Sequence, residues 1–112
     1  MKYFLHNSER KGTCYHEFQK GKWDGETFWS EDGLYLHDDV FGDLDLYNSV
    51  IRYVIPDYNY YGPNDEVTRE KWNKMFLLAK EVGGETAELF EELKPWVEEN
   101  FSKYDCFSIL GI

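Results

Sequence analysis

The sequence predicts an α+β domain: an antiparallel β-meander, about three helices packed on it, and a C-terminal strand that rejoins the sheet. Three observations lead there. Apolar and polar residues alternate in the first third, which is punctuated by Asp-Gly pairs. From about residue 40 the apolar residues recur at helical spacing, and a short β-rich segment closes the chain.

Taken in order, residues 3–6 and 13–19 read as strands. In the second, Cys14, His16 and Phe18 fall on one face and Tyr15, Glu17 and Gln19 on the other. Asp24-Gly25 and Asp32-Gly33 are hairpin dipeptides, because glycine accepts the positive φ of a tight turn. Residues 26–30 and 34–37, between and after them, are strand-like in composition and bring the meander to up to four short strands. Val40, Phe41, Leu44, Tyr47, Ile51 and Val54 define a first helix, with Asp38 or Asp39 placed to cap it and Pro56 to stop it. Residues 57–65 read as a loop. A second helix over 66–82 buries Trp72, Met75, Phe76 and Ala79 and ends at Gly83-Gly84. A third, over 85–104, turns Leu89, Phe90, Leu93, Trp96, Val97 and Phe101 inward, and Pro95 is expected to kink or divide it. Residues 106–110 form the closing strand.

At 112 residues the chain is read as one domain, residues 1–112. Leu, Ile, Val and Phe contribute 28 of the 112 residues, enough for a core despite the charge. The longest strongly apolar stretch, residues 75–79, is far short of a membrane span, and the amino terminus lacks the apolar run of a signal peptide. Cys14 and Cys106 make no disulfide framework. Reduced thiols in a soluble, cytoplasmic protein are the simpler reading, and a single bridge stays open if the two lie on neighbouring strands.

With 12 basic and 22 acidic residues the net charge is −10, which argues against nucleic acid or anionic lipid as a ligand. The charge is not spread evenly. Residues 31–66 carry nine carboxylates against Arg52 alone, a net −8, while residues 1–30 carry +1 and residues 67–112 carry −3. The same middle segment holds Tyr35, Phe41, Tyr47, Tyr53, Tyr58, Tyr60 and Tyr61. Tyr58, Tyr60 and Tyr61 fall in the loop, where no helical or strand period accounts for them. Aromatic side chains ringed by carboxylates suit a protein interface and would draw in a basic partner. A solvated acidic surface with tyrosines covering the core reads equally well.

Chemistry is sparse. His6, His16 and His37 match no zinc spacing, and although His37-Asp38-Asp39 is a candidate metal site together with Asp57, the adjacency of those three in sequence does not make convergent ligands. A Cys106 nucleophile with His16 as base has nothing to orient a third group. Gly83-Gly84 is followed by Glu85, the wrong charge for a phosphate cradle. Glutamates 85, 88, 91, 92, 98 and 99 read as an exposed polar helix face. No enzymatic activity, cofactor or metal is expected.

The run from Trp29 to Phe41, WSEDGLYLHDDVF, with the later PDYNYYG at Pro56 to Gly62, resembles small bacterial immunity proteins encoded beside polymorphic toxins, contact-dependent growth-inhibition toxins among them. The resemblance covers size, acidity, the aromatic–acidic middle segment and the α+β order of elements. It implies a cytoplasmic protein that binds and blocks a cognate toxin domain, often a basic nuclease such as a tRNA ribonuclease, with no membrane or direct nucleic-acid partner. Under that reading Asp32, Asp38, Asp39, Asp43, Asp45 and Asp57 steer and pair with the toxin, and Tyr58, Tyr60 and Tyr61 supply aromatic contacts. Asp43 falls near the core boundary of its helix, and Asp38 or Asp39 also reads as a cap. The competing readings are an acidic nucleic-acid mimic that inhibits defence nucleases and a non-catalytic structural subunit.

Overall fold

The computed structural model describes all 112 residues. Five strands, β1 (Phe4–Leu5), β2 (Tyr15–Lys20), β3 (Leu34–His37), β4 (Asp65–Thr68) and β5 (Cys106–Leu110), form one sheet in the order β1-β3-β2-β5-β4. Every pairing is antiparallel. Four helices accompany them: α1 (Asp38–Asp43), α2 (Leu46–Ser49), α3 (Arg69–Val82) and α4 (Gly84–Phe101). The α+β class, the antiparallel sheet with its helices and the closing strand are as the sequence led one to expect.

Alternation in β2 sorts its side chains as read. Phe18 joins Phe4, Leu34, Leu36, Val67, Phe107 and Ile109 in the sheet's share of one hydrophobic cluster, to which α3 and α4 add Trp72, Met75, Leu89, Phe90 and Val97. Trp72 stacks on Phe90 at 5.8 Å between ring centroids and meets Phe107 edge-on at 6.3 Å. Glu92 of α4 ties down the start of the chain, its carboxylate accepting from the main-chain N–H of Lys2, Tyr3 and Phe4 at 2.6–2.9 Å. One of the six helix glutamates is therefore structural and does not belong to a solvated face.

Three segments depart from expectation. Residues 26–30 are not a strand, because their polar groups are satisfied by side chains instead of a partner strand. Asp24 Oδ1 accepts from the N–H of Glu26 and of Thr27, and Glu17 accepts from the N–H of Trp29 and of Ser30. The segment folds back over the second face of the sheet, so Tyr15, Glu17, Gln19 and Tyr35 are buried there. The expected first helix breaks into α1, α2 and a 3-10 turn at Ile51–Tyr53. Asp45 sits at φ 49° between the two helices, and Gly42, Asn48 and Ser49 are poor helix formers there. Finally, residues 65–68 are β4 and not the start of a helix. Val67 alternates inward against Phe107, and Thr68 caps α3 by accepting from the N–H of Lys71 at 3.3 Å. Helix α4 runs through Pro95 undivided.

Candidate functional site

The acidic middle of the chain assembles around His16. Its ring is fully buried and stacks on Phe41 of α1 at 4.0 Å. Nδ1 lies 2.7 Å from the Tyr58 hydroxyl and Nε2 lies 2.9 Å from Asp38 Oδ1. An ionised Asp38 can only accept, so Nε2–H donates to it and Nδ1 accepts from the Tyr58 O–H. The Tyr60 hydroxyl donates to the same Asp38 oxygen. Four side chains from β2, α1 and the 57–65 loop are thus joined in one chain of hydrogen bonds.

Electrostatics follow from that geometry. Burial holds His16 below its ordinary 6.5, against the pull of Asp38, so the ring is neutral at pH 7. Burial works to raise the Asp38 carboxyl, but the hydrogen bonds from Tyr60 and His16 and the nearby His16 and His37 outweigh it and leave the carboxyl below its usual range. The bond to Asp38 pushes Tyr60 up to about 12. Below pH 6.5 the unfolded chain takes up a proton that the folded His16 refuses, so folding is penalised as pH falls; above 6.5 both forms are neutral and the penalty is gone. The depressed Asp38 adds stability that is lost in the same direction at lower pH. Urea unfolding across pH should therefore show stability declining from pH 6.5 downward. In His16→Gln, which can still donate to Asp38 and accept from Tyr58, the upper part of that decline should disappear.

The loop that presents the tyrosines is pinned from two sides. Asp65 of β4 accepts from the Asn59 N–H at 2.7 Å, and the Ile112 N–H donates to the Tyr60 carbonyl at 2.9 Å. Gly111 passes so close beneath the loop that a Cβ there would overlap the carbonyl oxygens of Asn59 and Tyr60. Gly111→Ala should cost about 1–3 kcal/mol, the scale of overpacking, and shift the amide resonances of residues 58–62 in an NMR comparison with the parent.

The nine residues singled out in the sequence take different places. Tyr61 is 82% exposed and Tyr60 half-buried, their rings 4.7 Å apart. Tyr58 is buried, so it supports the site from beneath through His16 and offers no surface to a partner. Asp38 shows a quarter of its side chain and is committed to His16 and Tyr60. Asp39, Asp43 and Asp57 are exposed, Asp43 well clear of the core boundary. Asp45 is exposed and occupied in the α1–α2 turn, accepting from Asn48 at 2.9 Å. Asp32 lies apart at the other end of β3, roughly 13 Å of strand from Asp38, where its carbonyl accepts from Trp96 Nε1. The α1 cap is His37, which accepts from the Asp39 N–H; Asp38 and Asp39 are first-turn residues.

His16 was the residue whose role the sequence concealed. Its alternation with Phe18 put it on the core face, and a histidine there needs polar partners; the tyrosines of the loop were the available ones. The Cys106–His16 pair does not form, since both His16 nitrogens are taken and burial pushes the Cys106 thiol up. Cys14 and Cys106 are free thiols, the first exposed and the second buried. No three His, Cys, Asp or Glu side chains converge as metal ligands, and no helix is long and apolar enough to cross a membrane. What the arrangement provides is a rigidly backed acidic and aromatic surface. No protein-family model, curated protein or solved structure matches the chain.

Proposed function

We propose that the chain is a cytoplasmic immunity protein that binds a cognate toxin domain, a basic nuclease such as a tRNA ribonuclease, and neutralises it by covering the substrate-binding surface. The observation that carries this reading is the coincidence of charge and shape in residues 31–66. Residues 31–66 carry a net −8, and five of their nine carboxylates, Asp38, Asp39, Asp43, Asp45 and Asp57, fall on α1, α2 and the turn and loop around them; Asp39, Asp43 and Asp57 are exposed, as is Tyr61 of the same loop as Asp57. Carboxylates on such a surface accelerate docking of a basic partner, and tyrosines give contact area at little entropy cost. A standard interface takes about 800 Å² from each side, roughly an eighth of the 6178 Å² surface of this chain. The network through His16 supplies the rigidity, since a surface fixed before binding loses less entropy on docking.

The test is co-purification. The chain is tagged, expressed with the genes that flank its own, and recovered in moderate salt. A stoichiometric basic domain is the expected companion. Recovery of the chain alone, or inhibition of unrelated nucleases by the chain alone, would overturn the reading, the latter in favour of a nucleic-acid mimic.

A further inference from the structure

The second face of the sheet carries a feature that the charge pattern did not point to. The folded-back segment 26–30 leaves an open cleft of about 330 Å³, lined among others by Tyr15, Glu17, Phe28, Trp29, Tyr61 and Ile112. That is at the lower end of ligand-pocket volumes, roughly 300–1,000 Å³. No lysine, arginine or histidine lines it. Glu17 is only 2% exposed, and its carboxylate accepts from the N–H of Trp29 and Ser30, from Gln19 Nε2 and from the Tyr35 hydroxyl. All of those donors are uncharged, and no cation lies within ion-pair distance of the carboxylate. The four hydrogen bonds hold the carboxylate ionised without neutralising it, so the cleft keeps one uncompensated negative charge that complements a cation arriving from outside.

The walls are suited to the same cation. Phe28 packs against Trp23 and Tyr61 against Tyr60, yet the two remain 56% and 82% exposed, which leaves large aromatic surface free. Trp29 holds a left-handed φ of 59°, a conformation costly for a bulky residue, and the two N–H bonds to Glu17 keep it there. Its ring already takes a guanidinium: that of Arg10 lies 3.9 Å from the centroid. Arg10 is tethered to Asn7 and to the Gly12 carbonyl and does not line the cleft. A planar guanidinium stacks on aromatic faces where an ammonium does not, and both its charge and its plane are matched here.

We propose that this cleft is the receptor for an arginine side chain of the basic partner, stacked between the aromatic walls above Glu17. The identity of the partner rests on the immunity reading, while the chemistry of the cleft stands without it. Tyr61 belongs to both surfaces, so an arginine seated here continues the contact made by the acidic face.

The experiment is an NMR titration of the ¹⁵N-labelled chain with a capped Gly-Gly-Arg-Gly-Gly peptide, and with its lysine and citrulline counterparts. The arginine peptide should give saturable shifts at the Trp29 indole and at the amides of Trp29, Ser30 and Ile112. The lysine peptide should bind more weakly, and the neutral citrulline peptide should not saturate. Phe28→Ala and Tyr61→Ala, both at exposed side chains and so safe for folding, should each weaken arginine binding about fivefold. Glu17→Gln, where near-ultraviolet dichroism shows it folded, should abolish it. Equal shifts with arginine and citrulline, shifts that fall outside the cleft, or binding unchanged in the Phe28 and Tyr61 variants would each overturn the proposal. The titration needs no toxin. A silent cleft beside a positive co-purification removes this inference alone, and a responsive cleft without a companion protein removes the immunity reading alone.

Discussion

Trp72→Ala should remove about 3–5 kcal/mol of folding stability, the range for a fully buried aromatic. Trp72 is 2% exposed and touches both layers of the fold, stacking on Phe90 of α4, tilted against Phe76 of its own helix and edge-on to Phe107 of β5. Truncation opens a void where the helix layer meets the sheet, and the surrounding rings are too rigid to fill it. Domains of this size have about 5–15 kcal/mol in total, so the loss is a large part of the whole. Each kcal/mol moves the melting temperature by about 4–8 °C in domains of 60–100 residues and somewhat less in larger ones, which makes the effect easy to read by thermal denaturation. Trp96→Ala is the internal comparison. Trp96 is half-buried and its indole N–H donates to the exposed Asp32 turn, so its removal should cost clearly less. Equal losses at the two positions would contradict the placement of the core between α3, α4 and β5.

Reversing Asp39, Asp43 and Asp57 to lysine should slow association with the captured partner by about 10–100-fold at low salt and flatten its dependence on ionic strength. The three changes shift the net charge from −10 by six units, all within the acidic segment. Each side chain is exposed, so helix content and melting temperature should change little. Asp38 is deliberately outside this set. It accepts from His16 and from Tyr60, and a lysine there would leave the buried His16 Nε2–H and the Tyr60 hydroxyl without their acceptor, so lost binding would also follow from lost structure. Asp32→Lys is the control, because Asp32 lies at the far end of β3 from the cluster. Stopped-flow association of the three-fold variant at the parent rate would show that the binding face lies elsewhere.

The sequence was most legible where local pattern and tertiary environment agree. Strand alternation around His16 and Phe18, the closing strand and the two long helices all bury the faces their periods assign. It was least legible where side chains replace a regular partner. Residues 26–30 have strand composition, yet Asp24 and Glu17 take up their main-chain donors, and no period encodes that long-range substitution. The first helix shows the opposite failure. Its apolar spacing is helical throughout, but the spacing says nothing of the left-handed turn at Asp45 that divides it. At the site, composition separated the exposed Tyr61 from nothing: Tyr58, Tyr60 and Tyr61 look alike in sequence, and only the fold makes the first a buried prop and the last a surface. Glu17 was equally hidden, since a glutamate on an alternating strand reads as solvent-facing until a loop is folded over it.

The most direct test is a growth assay in cells that express the co-purified neighbour with and without this chain. Immunity predicts arrest when the neighbour is expressed alone and restored growth when the chain is present, with protection lost in the Asp39, Asp43 and Asp57 reversal. A neighbour that is harmless by itself, or equally toxic with the chain bound to it, would contradict the account.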